Sequence, residues 1–345
     1  MGEWKEYKLG EIISLGNGKV RPKEIGNIPI YGGNGILGYC NNYNYKGETI
    51  IIGRVGAYCG SVYYENRPIW ISDNALAVKP KNGYSTKFLY YFLKTLRLHE
   101  YAEGSSHPLL TQTLLNTIDV LFINNIQEQN HIASILGSLD NKIDLLHREN
   151  ETLEAMAETL FRKWFIEDAK DEWEEKSLAC VSDITAGGDK PKIFSKYITS
   201  ECTIPVYSNG IDNEGLYGYT NIPKIYKESI TVSARGTIGY VVLRRSPYVP
   251  IVRLISLIPK DNIVTAKWLY LYLKQLNING TGTTQQQLTI PDFCSRTIIL
   301  PPFEIIKKFT NIIDNLYDKQ LINKEEISCI EKMKNCLLKK LMHNK

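Results

Sequence analysis

The chain is written twice, and this internal duplication constrains its fold more than any single motif does. Trp4-Lys5-Glu6 followed by Leu9 is answered by Trp173-Glu174-Glu175 followed by Leu178, and Ile28-Pro29-Ile30-Tyr31 by Ile204-Pro205-Val206-Tyr207. Both tetrapeptides run into Asn-Gly pairs, Asn34-Gly35 and Asn209-Gly210, after which Gly38-Tyr39 matches Gly218-Tyr219 and Glu48-Thr49-Ile50 matches Glu228-Ser229-Ile230. Gly53-Arg54-Val55-Gly56 faces Ala234-Arg235-Gly236, and the run from Phe88 to Lys94 faces that from Trp268 to Lys274. The offset drifts only from 169 (Trp4 to Trp173) to 181 (Arg54 to Arg235), so short loop insertions separate two copies of one unit. Within each copy, short β-rich runs punctuated by glycine (49–52, 61–64, 230–233, 240–243) predict a curved sheet with hairpins. An amphipathic helix is predicted over 87–98 and 267–276, and a last strand near 118–123 and 296–300. The unit is α+β.

Each copy ends in a heptad. Apolar positions run Ile132, Leu136, Leu139, Ile143, Leu146, Asn150, Leu153, Ala157, Leu160 and Trp164, in alternating steps of four and three. That spacing is the seam of a coiled coil, and a buried Asn at such a position typically fixes register. A helix over 128–167 would extend roughly 60 Å. The same seam returns as Phe309, Ile313, Leu316, Gln320, Asn323, Ile327, Ile330, Lys334, Leu337 and Leu341. Neither stripe is stable in water alone, so the two helices are expected to pair antiparallel, which would make the molecule pseudo-twofold. The expected segments are 1–125 and 169–303 for the globular domains, and 126–168 and 304–345 for the helical spacers.

Composition mostly excludes. The 345 residues suffice for two domains with their own cores, and no apolar run approaches the ~20 residues a bilayer crossing needs. The start Met1-Gly2-Glu3-Trp4-Lys5 lacks a secretory pattern, so a soluble, cytoplasmic protein is expected. The seven cysteines contain no CxxC pair, and none of the five histidines belongs to HExxH, so neither a metal nor a disulfide framework is expected. Gly18-Lys19 is followed by Val20 and is no phosphate-binding loop, and Gly32-Gly33-Asn34-Gly35 and Gly187-Gly188 lack dinucleotide spacing. Leu300-Pro301-Pro302-Phe303 carries Leu where an amino-methyltransferase would need Asp or Asn. No catalytic residue and no cofactor is expected. A net charge of +4 permits a polyanionic partner without requiring one.

The run Ile126-Gln127-Glu128-Gln129, then Ile132 to Leu146, Glu149 to Met156 and Leu160-Phe161-Arg162-Lys163-Trp164-Phe165 resembles the central helical region of Type I restriction-modification specificity subunits. The stretch from Leu300 to the end resembles their distal helical region, and the Trp-x-x-x-x-Leu openings resemble the entry to each target-recognition domain. Glu304-Ile305-Ile306 departs from the Glu-Gln usual there, and the chain is short, as in related Type IIB or IIG systems. The resemblance implies a non-catalytic subunit that reads a bipartite site on double-stranded DNA, one half-site per domain. It also implies partners: methyltransferase subunits, two of them, that use S-adenosylmethionine to methylate adenine N6, and restriction subunits, with no membrane involved.

Candidate DNA contacts are the polar residues of the repeated loops. Arg54 and Arg235 each offer a fork suited to guanine or phosphate. Lys19, Arg21 and Lys23, Lys190 and Lys192, Arg244 and Arg245, and Gln285 and Gln286 are further cationic or polar candidates. Asn34, Ser208 and Asn209 lie in the repeated turn, where turn geometry alone also accounts for Asn. Two other readings compete: an enzyme with a degenerate motif, revealed by intrinsic methyl transfer, and a protein-binding scaffold, which would retard no duplex and show no strong salt dependence.

Overall fold

The computed structural model describes residues 4–104, 108–276, 278 and 287–342. The chain forms two compact units, the first comprising Met1–His147 with Lys324–Lys345 and the second Arg148–Asn323. The first repeat runs β1 (Trp4–Lys8), α1 (Leu9–Ile12), β2 (Ile13–Asn17), β3 (Ile28–Gly32), β4 (Gly35–Cys40), β5 (Thr49–Gly53), β6 (Val62–Glu65), β7 (Trp70–Ile71), β8 (Ala75–Pro80), α2 (Thr86–Thr95), α3 (Gln112–Thr117), β9 (Asp119–Ile123) and α4 (Ile126–Arg162). The second repeats that order: β10 (Glu174–Ser177), α5 (Leu178–Val181), β11 (Ser182–Ala186), β12 (Ile204–Tyr207), β13 (Leu216–Thr220), β14 (Ser229–Val232), β15 (Val241–Arg244), β16 (Val249–Pro250), β17 (Ile255–Pro259), α6 (Ala266–Gln275), α7 (Ile290–Cys294), β18 (Thr297–Leu300) and α8 (Phe303–Met342).

Sheet topology is duplicated as well. The order β2-β8-β5-β6 recurs as β11-β17-β14-β15, β4-β3-β7 as β13-β12-β16, and the pair β1-β9 as β10-β18. Even the irregularities repeat, since register shifts after Ile30 in β3 and after Val206 in β12, and β7 and β16 each join their small sheet in parallel.

In the first unit β5 is buried along its whole length. Successive strand residues face opposite ways, so Ile50 and Ile52 meet Phe88, Leu89 and Phe92 on one face, while Ile51 meets Tyr31, Ile69 and Ile71 on the other. A strand covered on both faces needs no polar alternation, which is why its sequence is a continuous run of β-branched residues. Ser85 caps α2 by accepting from the Phe88 N–H at 3.4 Å. That helix stops at Thr95, short of the expected Leu98, because Arg97 turns left-handed at φ 48°. In the second unit α6 is capped by Thr265 and buries Trp268 against Phe161 of α4 and Phe165 just beyond it, which in turn meet Phe309 of α8 at ring separations of 5.9 and 4.9 Å.

The heptads pair antiparallel, as the seam predicts, and here the partners belong to one chain. In the first unit Leu139, Ile143 and Leu146 pack with Ile327 and Ile330, Lys334 Nζ lies 2.6 Å from Asp140, and Lys142 lies 3.1 Å from Glu326. In the second unit Asn323 Nδ2 donates to Asn150 Oδ1 and to Glu149, both at 3.0 Å, and Gln320 Nε2 donates to the Asn150 carbonyl at 2.9 Å. Positions therefore rise along α4 as they fall along α8. Leu136, Leu153, Leu160, Ile313, Leu316 and Leu337 are likewise buried or half-buried. Helix α4 starts at Ile126, where Asn125 Oδ1 accepts from the Glu128 N–H, and its continuation Lys163–Glu167 widens to π-helical turns.

Asn323 is fully buried, and its Oδ1 has no hydrogen-bond partner among the described residues. Replacing Asn323 alone by Leu strands the Asn150 amide and is expected to lower the unfolding free energy in urea by about 1–3 kcal/mol. Replacing Asn150 and Asn323 together by Leu is expected to recover most of that loss. Additive losses in the double variant would exclude the coupling.

Candidate nucleic-acid interface

In each unit several connections converge at one end of the four-stranded sheet, held mainly by backbone hydrogen bonds. In the first unit the Lys19 N–H donates to the Ile71 carbonyl (2.9 Å), Ser72 to Tyr31 (2.8 Å), Arg54 to Asn74 (3.0 Å), Gly56 to Pro108 (3.1 Å) and Leu110 to Arg54 (2.8 Å). In the second, Gly187 donates to Leu254 (2.8 Å), Val252 to Gly188 (2.9 Å), Arg253 to Gly187 (2.9 Å) and Leu288 to Ala234 (3.0 Å). Glycine is required where these backbones press together: a Cβ at Gly18 would lie 1.8 Å from the Ser72 carbonyl oxygen, and one at the matching Gly187 would lie 2.7 Å from the Ile251 nitrogen.

The hydrogen bonds fix which loop residues correspond. Leu110 binds the carbonyl of Arg54 as Leu288 binds that of Ala234, and Gly56 and Gly236 are both left-handed, at φ 73° and 69°. Arg54 therefore corresponds to Ala234, and Arg235 to Val55, one residue away from the match that the sequences suggest. The Asn-Gly turns also differ. Gly32 pairs with Gly35 across a tight hairpin whose central residues are Gly33 and Asn34, whereas Ser208 bonds to Gly215 across a wider connection. By position after the Tyr, Asn209 corresponds to Gly33.

The wider connection gives Asn209 a structural role. Its Oδ1 accepts from the Ala234 N–H at 2.8 Å, and its Nδ2 donates to the Val252 carbonyl at 2.7 Å. One amide thus ties the loop carrying Arg235 to the turn carrying Arg253. Arg235 is exposed, and its Nε and Nη2 donate to Gln287 Oε1 at 3.2 and 3.0 Å. Arg54 is half-buried, with a buried Nε that has no hydrogen-bond partner among the described residues. Lys19, Lys23, Asn34 and Lys192 are exposed and Ser208 is half-exposed. Arg21 reaches back to the Leu37 carbonyl at 2.8 Å, and Lys190 stands over the Phe194 ring at 4.6 Å. Gln285 and Gln286 lie outside the described residues.

Arg244 is committed to the interior of the second unit, and Arg245 to α8. Arg244 is 4% exposed, stacks 3.6 Å from the centroid of Tyr207, donates to Thr231 Oγ1 (2.9 Å) and the Glu214 carbonyl (2.6 Å), and lies 3.5 Å from the Glu214 carboxylate. Burial holds its pKa below the usual guanidinium value, opposed by Tyr207 and Glu214. Arg245 binds the Tyr317 carbonyl and Asp318 on α8. Sequence reading passed over Asn74 and Arg253, because nothing in Ile251-Val252-Arg253 announces a turn. Among the described residues no group of three or more His, Cys, Asp or Glu is placed to hold a metal, and no helix is long and apolar enough to cross a membrane.

A family model described as the Type I restriction modification DNA specificity domain matches residues 1–155 and again 170–332. A Mycoplasma pneumoniae chain assigned as a type I specificity subunit, S.MpnORF507P, is 27% identical over 91% of this chain and 89% of its own length. The Type I restriction enzyme MjaIX specificity subunit of Methanocaldococcus jannaschii is 26% identical over 86% and 77%. Among solved structures, a Type-I restriction-modification system S subunit from M. genitalium has the same fold, with a TM-score of 0.66 at 20% identity, covering 100% of this chain and 97% of that one.

Replacing Arg244 by Met removes its hydrogen bonds to Thr231 Oγ1 and to the Glu214 carbonyl and is expected to cost about 2–3 kcal/mol of stability. Lys190→Ala or Lys192→Ala, at exposed positions, should change it by less than about 0.5 kcal/mol. Urea titration of the three variants checks the contrast.

Proposed function

The chain belongs to the Type I restriction modification DNA specificity domain family, and from that premise we propose that it reads a bipartite duplex target, one half-site through the loop cluster of each unit. In this reading it supplies the address, while separate methyltransferase subunits, two per assembly, use S-adenosylmethionine to methylate adenine, and restriction subunits cut. The observation that carries the proposal is a repeated frame with unlike side chains. Three backbone hydrogen bonds recur in matching places, Ser72 to Tyr31 as Ile251 to Tyr207, Ala75 to Ser72 as Leu254 to Ile251, and Leu110 to Arg54 as Leu288 to Ala234. Yet Lys19 stands where the second unit has Gly188, Arg54 where it has Ala234, Val55 where it has Arg235, and Asn74 where it has Arg253. Backbone contacts position a protein on DNA, and side chains at base edges specify sequence. Two copies of one frame with different side chains suit two different half-sites. Arg54, Arg235, Lys19, Lys23, Asn34, Lys190 and Lys192 are the proposed contacts. The paired helices act as the ruler that sets how many base pairs go unread between the half-sites.

Co-expression with a methyltransferase subunit of the same system, followed by single-molecule mapping of N6-methyladenine, tests this reading. The expected outcome is a motif of two short blocks around a fixed gap, lost when this chain is omitted. Inserting one heptad into each of α4 and α8 adds about 10 Å, and should widen the gap by roughly three base pairs at ~3.4 Å each. Methylation independent of this chain, or an undivided motif, would return the protein-binding scaffold to first place.

A further inference from the structure

We propose that Arg253 is a base-reading residue of the second unit, aimed by a strained turn; the inference rests on the DNA-reading function above and deepens it. Between β16 and β17 the backbone is left-handed at two consecutive residues, Val252 at φ 53° and Arg253 at φ 60°. That region penalises every residue with a Cβ, and a β-branched Val most of all, whereas Gly, Asn or Asp would relieve it. The corresponding residues of the first unit, Asp73 and Asn74, show no positive φ although they are the types that tolerate it. The strained conformation is thus found where the residue types disfavour it.

The surroundings hold the strain in place. Both turn N–H groups donate to the Gly187-Gly188 carbonyls at 2.9 Å, Gly187 is required there by close approach, and the Val252 carbonyl accepts from Asn209 at 2.7 Å. Persistent backbone strain of this kind clusters at ligand-contacting sites, where surrounding structure over-determines it. The turn presents Arg253 exposed, and among the described residues its guanidinium makes no hydrogen bond or ion pair, unlike that of Arg235. Among the described residues, all its donors are therefore open to a ligand.

A phosphate contact needs only reach, which a flexible lysine on the surface supplies. A rigid turn fixes direction, and direction is what a planar, bidentate contact to guanine O6 and N7 demands. The link through Asn209 sets the spacing between Arg253 and Arg235, so the pair forms one reading head.

The test uses the full chain with its methyltransferase subunits, comparing wild type with Arg253→Ala and Arg253→Lys by methylome mapping and by binding to wild-type and single-base-substituted duplexes. Base reading predicts that both variants relax one G·C position in one half-site, with discrimination there falling about 5- to 150-fold and the other half-site unchanged. Lys fails in this test because it lacks the fork. Recovery of wild-type behaviour by Lys, a uniform loss across all sequences with a shallower salt dependence, or an unaltered motif would each overturn it. Thermal unfolding of each variant within error of wild type confirms that the frame is intact. If wild type itself yields no bipartite motif, the functional reading fails; if it does and Arg253 is silent, only this inference fails.

Discussion

Neither unit closes its core with its own repeat alone. The first unit packs Leu337, Leu338, Leu341 and Met342, from the far end of the chain, against the core that holds Ile132, Ala133 and Leu136. The second takes Ala157, Phe161 and Phe165 from the helical segment that ends the first repeat, and joins them to Ile306, Phe309 and Ile313. Each such side chain contributes on the order of 1.5–3 kcal/mol when buried, so each core depends on side chains from both α4 and α8. That requirement explains the unbroken heptad. It also explains the Asn150, Gln320 and Asn323 layer, since a slip of either helix would separate polar groups that satisfy one another.

The frames of the loop clusters depend on a different constraint, close approach of backbone to backbone. Gly18 and Gly187 occupy matching places and are required for matching reasons, and the bonds of Leu110 to Arg54 and of Leu288 to Ala234 repeat that frame. Because main-chain groups hold most of the frame, with the Asn209 amide as a clasp in the second unit, the side chains projecting outward from it can vary at little cost to the scaffold. A rigid frame that tolerates different side chains is what a reading surface needs.

Much of the architecture was legible because its signals are periodic. Duplication, heptad seam and the order of strands and helices all follow from residue spacing, and every seam position from Ile132 to Trp164 is buried or half-buried, in agreement with the pattern. The loops were less legible because their geometry depends on single residues. An alignment of arginines paired Arg54 with Arg235, while the backbone pairs Arg54 with Ala234. Asn209 reads as a surface amide and serves as a clasp between two loops. Arg244 and Arg245 read as a basic pair, but Arg244 is claimed by Tyr207 and Glu214 and Arg245 by α8. Val252 and Arg253 gave no warning, since a left-handed turn built from disfavoured residues is set by its neighbours and not by its own preferences.

The exchange of terminal helices carries an evolutionary consequence. A single repeat severed after its long helix would lack the segment that completes its core, but a second copy would bring that segment, so two identical single-repeat chains would complete each other by lending a helix. Fusion into one polypeptide removes the dependence on concentration. It also releases the halves from identity: once covalently joined, each loop cluster is free to differ from the other. The relaxed Asp73-Asn74 turn and the strained Val252-Arg253 turn are two outcomes of that freedom on a single inherited frame.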